Sequence, residues 1–333
     1  MKLTLEQIRS IAIGTARVEE QDGLVSLFRF TKEQEAAYEK RSADFYKKTF
    51  ATAGIRLEFE TDSPTLALSV VVQPGSSRRF FAHDVYVNDR LIGQLGATID
   101  PTLLEDGNFL PYFGEFALGD GIKTVRIYFP WSMCSRIREI SLSDGATLKP
   151  IQKACRMICF GDSITHGYDS EHPSLSYASR IVDALDANAV NKGIGGEQFW
   201  PDLATMRESF EPDLITVAYG TNDWAHCATK EKFISHTTQF YQNLSALYPN
   251  AKIFALSPIW RGDWENEKPT GPFSFAHECI ENATEDLPNV TVIRCFDFVP
   301  HNSFAFRDQK LHPNDAGFGF YADGVLKEMK KHL

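Results

Sequence analysis

The sequence predicts two structural classes in one chain: an all-β sandwich over residues 1–150, then an α/β domain over 153–333 with a parallel sheet and helices on both faces. Three observations support this. Short segments of the first half alternate apolar with polar residues between turn signals. Beyond residue 150, apolar runs alternate with helical stretches. Between the two patterns, Asp144-Gly145, Pro150 and Lys153 mark a linker. A chain of 333 residues is long enough for about two domains, each able to bury a core.

In the first half, residues 52–60, 66–72, 81–87 and 125–129 alternate in the period of a half-buried strand. Turn signals separate them at Pro74-Gly75-Ser76, Asn88-Asp89, Asp106-Gly107 and Asp120-Gly121. Short alternating strands at this spacing predict a sandwich or barrel. The charged segment 32–48 predicts a helix or a long connection. In the second half, the apolar run 157–160 is followed by a helical pattern through Leu185, and 214–219 by 230–247. The run 253–257 leads to a loop and a helix at 274–286, and 290–295 to a last helix near 315–332. Such alternation places strands in a parallel sheet covered on both sides.

Composition narrows the function. A formal net charge of −10 argues against a nucleic-acid partner, which needs clustered cations to meet phosphate. The densest basic run, Lys327, Lys330 and Lys331, reads as the last turn of a helix. No apolar run reaches membrane-spanning length, and the N-terminus lacks a signal-peptide pattern. Six cysteines (134, 155, 159, 227, 279 and 295) have neither zinc-site nor disulfide-framework spacing. The expectation is a reduced, cytoplasmic protein that neither binds nor enters a membrane.

Four segments carry chemistry. In Gly161-Asp162-Ser163-Ile164 an apolar strand ends and a serine begins a helix. Ligands of open α/β sheets bind beyond the carboxyl ends of strands, where a serine becomes a nucleophile once a base reaches it. The plain alternative is that Ser163 only caps the helix. Gly196, in a glycine-rich turn, lets backbone approach a reacting oxygen, or is simply a turn. Asn222, in Gly220-Thr221-Asn222-Asp223, offers an amide to an oxyanion, or caps a helix. His312, in Leu311-His312-Pro313-Asn314, is a general base or an exposed loop residue.

Together and in this order, these segments resemble the GDSL/SGNH hydrolases over about residues 155–330. Gly161-Asp162-Ser163-Ile164 is a close variant of that family's Gly-Asp-Ser-Leu, and Gly196, Gly220-x-Asn222 and His312-Pro313-Asn314 follow in the family's order. The resemblance implies a flavodoxin-like parallel sheet with Ser163 as nucleophile and His312 as base. It implies an oxyanion hole of the Ser163 and Gly196 N–H groups with the Asn222 amide, and neither cofactor nor metal. One departure stands out: the family's acid precedes the histidine by three residues, where this chain has Gln309, and Asp308 lies four before. Asp308 completes the triad if the loop bulges by one residue; otherwise a main-chain carbonyl orients His312. The first half is similar to the jelly-roll-like sandwich that precedes some SGNH carbohydrate esterases and acyltransferases.

Asp162 and the aromatics Phe199, Trp224 and Trp260, all near strand ends, are the expected substrate-binding residues, with loop packing as the alternative for the rings. The implied activity is hydrolysis of short acyl esters, acetyl above all, on a saccharide or similar polar alcohol through an acyl-Ser163 intermediate. Two alternatives remain at this stage: an acyltransferase using the same acyl-enzyme, and a non-catalytic saccharide-binding protein with a vestigial hydrolase fold.

Overall fold

The computed structural model describes residues 1–104 and 108–333, so the Asp106-Gly107 turn signal lies outside the described residues. The chain divides into two compact units: Met1–Lys153 with Glu171–Ser174, and Ala154–Ser170 with Leu175–Leu333.

The first unit is a sandwich of two antiparallel sheets. One runs in the order Ala12–Ile13, Arg56–Thr61, Lys123–Tyr128, Phe80–Val87, Arg90–Thr98, with Lys149–Pro150 paired to Arg56–Thr61. The other runs Arg17–Gln21, Leu24–Phe28, Met133–Leu142, Thr65–Pro74, Leu110–Ala117. The alternation in the sequence sends one face of each strand inward. Leu57, Phe59, Val85, Val125 and Ile127 of the first sheet share one core with Leu66, Leu68, Val70, Ile137 and Ile140 of the second. Asn88 and Asp89 both have positive φ, 47° and 67°, as a tight primed hairpin turn demands. Segment 32–48 forms two helices, Lys32–Arg41 and Ala43–Thr49, capped by the Thr31 and Ser42 hydroxyls.

The sequence pattern misses several strands here, for physical reasons. Arg90–Thr98 and Leu110–Ala117 are edge strands interrupted by Gly93, Gly96, Pro111 and Gly114, residues that weaken a strand signal and are tolerated at edges. In Met133–Leu142 a register shift between Ile137 and Glu139 breaks the alternation. The segment Glu171–Ser174 belongs to this unit. The Ser174 N–H and hydroxyl donate to Asp84 Oδ2 at 3.1 and 2.6 Å, and the Gln94 amide donates to Asp84 Oδ1 at 2.7 Å. Burial raises the Asp84 pKa, and these hydrogen bonds oppose the rise.

The second unit is a five-stranded parallel sheet in the order Ala187–Gly193, Cys155–Gly161, Leu214–Ala218, Lys252–Leu256, Val290–Ile293. In chain order this is 2-1-3-4-5, the flavodoxin-like arrangement, and its switch point lies beside the first strand. Both faces are covered. Tyr177, Ile181, Phe318 and Val325 of the helices Tyr177–Ala184 and Asp315–Met329 pack into the core on one face. On the other, Phe240 of the helix Lys230–Leu247 meets Phe160 at 5.8 Å, and Phe233 meets Phe275 of the helix Ser274–Thr284 at 5.7 Å. The single helical pattern expected up to Leu185 is instead broken. A four-residue helix, Ser163–His166, ends at Gly167, whose φ is +102°. A turn with Asp169 at φ +69° then precedes the helix Tyr177–Ala184.

Candidate active site

The first strand, Cys155–Gly161, delivers Ser163 to the carboxyl edge of the sheet at its switch point. Asp162, not Ser163, is the N-cap of the short helix: its carboxylate accepts from the Ile164 N–H at 2.9 Å. The serine hydroxyl is therefore not consumed by capping. The turn is pressed against the neighbouring strand, where Asn191 donates to the Thr165 carbonyl at 2.7 Å. A Cβ on Gly193 would lie 2.3 Å from the His166 nitrogen, so only glycine permits this approach.

His312 arrives from the loop before the last helix. Its Nε2 lies 2.9 Å from Ser163 Oγ, and its Nδ1 lies 2.7 Å from Asp308 Oδ2. The other oxygen, Asp308 Oδ1, accepts the N–H groups of Lys310, Leu311 and His312 at 3.0, 2.7 and 3.0 Å. The displaced acid fits because Gln309, the residue that shifts the spacing, takes a left-handed φ of +63°. That conformation costs an L-residue about 1 kcal/mol and absorbs the extra position as a bulge. Burial disfavours the charged Asp308 carboxylate. Hydrogen bonds from the His312 ring and from the Leu311, His312 and Lys310 N–H groups outweigh it and hold the pKa well below the usual carboxylate range.

The two strands flanking Cys155–Gly161 supply the remaining segments. Gly196, after Ala187–Gly193, is exposed with φ +88°, a conformation that favours glycine. Asn222 follows Leu214–Ala218 in the helix Thr221–His226. Its amide donates to the Glu197 carbonyl at 3.0 Å, which uses one of its two N–H groups. Asp223 ties these two loops together, accepting the Gly220 N–H at 3.1 Å and the Phe199 N–H at 3.0 Å. Burial pushes Asp223 up to about 7 and Asp162 up to about 6. Arg261 adds a brace, donating to the Thr221 carbonyl and hydroxyl at 3.1 and 3.0 Å.

The expected substrate-binding residues divide differently. Phe199 is 1% exposed among Tyr219, Phe233, Phe240 and Tyr241. Trp224 is wholly buried, donating to the Gly271 carbonyl at 2.9 Å and packed on Phe273. Neither offers a face to a ligand, which corrects the expectation for both; apolar rings at strand ends serve the core as readily as a cleft. Asp162 is likewise buried and acts as a cap. Trp260 is partly exposed and stacks on His301 at 5.6 Å. A cavity of about 270 Å³ lined by Trp264, Phe273, Phe296 and Arg294 lies in the same unit, but none of its lining residues belongs to the Ser163–His312–Asp308 chain.

Sequence reasoning missed Asn191, Asp223, Arg261 and Asp169. Asp169 is buried, and its Oδ2 lies 3.5 Å from His312 Nδ1. Among the described residues, Asp169, Asp308 and His312 are also a group whose ligand atoms, all within 4.8 Å, suit a metal ion. The short bonds of His312 to Ser163 and Asp308 suit proton transfer equally well.

Residues 159–319 match the GDSL-like Lipase/Acylhydrolase family. No curated protein matches the chain. Among solved structures, the chain is similar to the salicylyl-acyltransferase SsfX3 from a tetracycline biosynthetic pathway, with TM-score 0.78 and 21% identity over 96% of this chain and 94% of that one. It is also similar to the acetyl xylan esterase Est2A from the rumen bacterium Butyrivibrio proteoclasticus, with TM-score 0.64 and 15% identity over 100% and 98%. A family two carbohydrate esterase from Clostridium thermocellum matches with TM-score 0.64 and 15% identity over 85% and 93%.

Proposed function

We propose that the protein is a serine esterase that removes short acyl groups, acetyl above all, from a saccharide or similar polar alcohol, a reading supported by the match of residues 159–319 to the GDSL-like Lipase/Acylhydrolase family. The observation that carries this reading is the continuous chain Ser163–His312–Asp308, with bonds of 2.9 and 2.7 Å. Ser163 Oγ attacks the ester carbonyl while His312 Nε2 takes its proton. Asp308 keeps the Nδ1–H tautomer and stabilises the imidazolium. The Ser163 and Gly196 N–H groups and the Asn222 amide receive the negative charge of the tetrahedral intermediate. His312 then protonates the leaving alcohol, and water activated by the same ring releases the acid from Ser163.

The acyl preference is supported by packing. Tyr168, 4% exposed, lies 5.5 Å from the His312 ring, and Ile164 beside Ser163 is 6% exposed, so bulky side chains pack beside both the base and the nucleophile. With a p-nitrophenyl ester series the rate is expected to be highest for acetyl and to fall with chain length; a maximum at long, fatty chains would refute the preference. The saccharide part is tested by acetate release from acetylated oligosaccharides. The likeness to a salicylyl-acyltransferase favours a second reading, in which an alcohol takes the acyl group from Ser163 in place of water. Product analysis with and without added alcohols separates the two. No helix among the described residues is long and apolar enough to cross a membrane. All six cysteines are unpaired, which supports a reducing, cytoplasmic setting as part of the proposal.

Asn222→Ala is expected to lower kcat by about 10²–10³ with little change in KM, because the amide meets charge that develops only in the transition state. A change confined to KM would make Asn222 a substrate-positioning residue instead.

A further inference from the structure

We propose that Asp169 is a second positioning carboxylate for His312, sharing the imidazole Nδ1 side with Asp308 during catalysis. The inference rests on the serine-esterase reading above. Asp169 Oδ2 lies 3.5 Å from His312 Nδ1, and Asp308 Oδ2 lies 2.7 Å from the same atom. The two carboxylates come from different parts of the chain: Asp308 from the loop before the last helix, Asp169 from the turn after the nucleophile helix. Their side chains also differ in exposure, 29% for Asp308 and 4% for Asp169. Interaction between charges strengthens as water is excluded. The buried carboxylate therefore acts on the imidazolium at longer range, while the exposed one makes the direct bond.

The backbone points the same way. The helix that carries Ser163 stops after one turn at Gly167, and Asp169 holds a positive φ of +69°, a conformation that Asp adopts more readily than most residues. Tyr168, between them in sequence, packs 5.5 Å from the His312 ring. One short segment thus presents the nucleophile, a ring beside the base, and a carboxylate behind the base.

During attack His312 becomes a cation. A carboxylate at this distance lowers the energy of that state without touching substrate, so its loss appears in kcat rather than KM.

The test uses the full chain and p-nitrophenyl acetate, after Ser163→Ala has shown that wild-type turnover belongs to this site. If wild-type protein shows no Ser163-dependent turnover, the esterase reading itself fails; the variants below address Asp169 only when it holds. Asp308→Asn keeps Oδ1 for the three loop N–H groups and removes the charge. With Asp169 in place it is expected to lower kcat by about 10²-fold, and the double variant Asp169→Asn/Asp308→Asn to reach the full loss of about 10⁴ for a triad without its acid. Asp169→Asn alone is expected to lower kcat about tenfold at unchanged KM. Asn tolerates the positive φ at 169. If Asp169→Asn nevertheless does not fold, Asp308→Asn alone decides: a 10²-fold loss supports the second carboxylate, and a 10⁴-fold loss overturns it. An Asp169→Asn enzyme with the wild-type kcat also overturns it.

Discussion

Replacing Ser163 with alanine is expected to lower turnover of acetyl esters about a millionfold, the loss seen when the nucleophile of a coupled unit is removed, with the thermal midpoint nearly unchanged. The structure explains why the two effects separate. Ser163 is 5% exposed, and its hydroxyl lies 2.9 Å from His312 Nε2. The cap of its helix is the Asp162 carboxylate, so alanine removes no capping bond, and alanine is the better helix former. Kinetics of the purified variant beside a melting curve check both halves. Activity above about 1% of wild type would exclude Ser163 as nucleophile, because water attack in an intact oxyanion hole gives far less.

His312→Ala is expected to cost a similar factor, about 10⁶, and the double variant with Ser163→Ala no more than either alone. The ring bridges Oγ and the acid, so neither residue works without the other; strongly non-additive losses are the signature of such a unit. Two losses that multiplied would mean that Ser163 and His312 act in separate steps. Asp308 stays ionised well below the usual carboxylate range, because hydrogen bonds from the His312 ring and the loop N–H groups hold its charge.

Much of the second unit was legible because its strands are buried on both faces and read as apolar runs, each ending in a chemically distinctive segment. Ser163, Gly196, Asn222 and His312 follow such runs or precede a helix, and the order of their segments, through its resemblance to the GDSL/SGNH hydrolases, singled them out among other turn residues. Asp308 was legible only as a spacing anomaly, and the left-handed Gln309 shows how the chain absorbs it. Asp169 and Asp223 gave no signal, since an aspartate in a turn or at a helix start reads as a local hydrogen-bonding residue. Phe199 and Trp224 read as cleft aromatics because a sequence does not say which face of a strand end meets solvent. In the first unit, Arg90–Thr98 and Leu110–Ala117 were hidden by glycine and proline at sheet edges.

Asp84 and Ser174 give the sandwich a consequence for its synthesis. The segment Glu171–Ser174 that completes this unit lies beyond the first strand and the serine turn of the second. Asp84 is fully buried, and two of its hydrogen bonds come from Ser174. A buried polar group deprived of its donors costs about 1–3 kcal/mol. A nascent chain ending at Lys153 therefore carries every strand of the sandwich yet leaves Asp84 only partly satisfied. On the ribosome, where domains fold as they emerge, the N-terminal unit reaches its final hydrogen bonding only once the nucleophile turn has also left the exit tunnel.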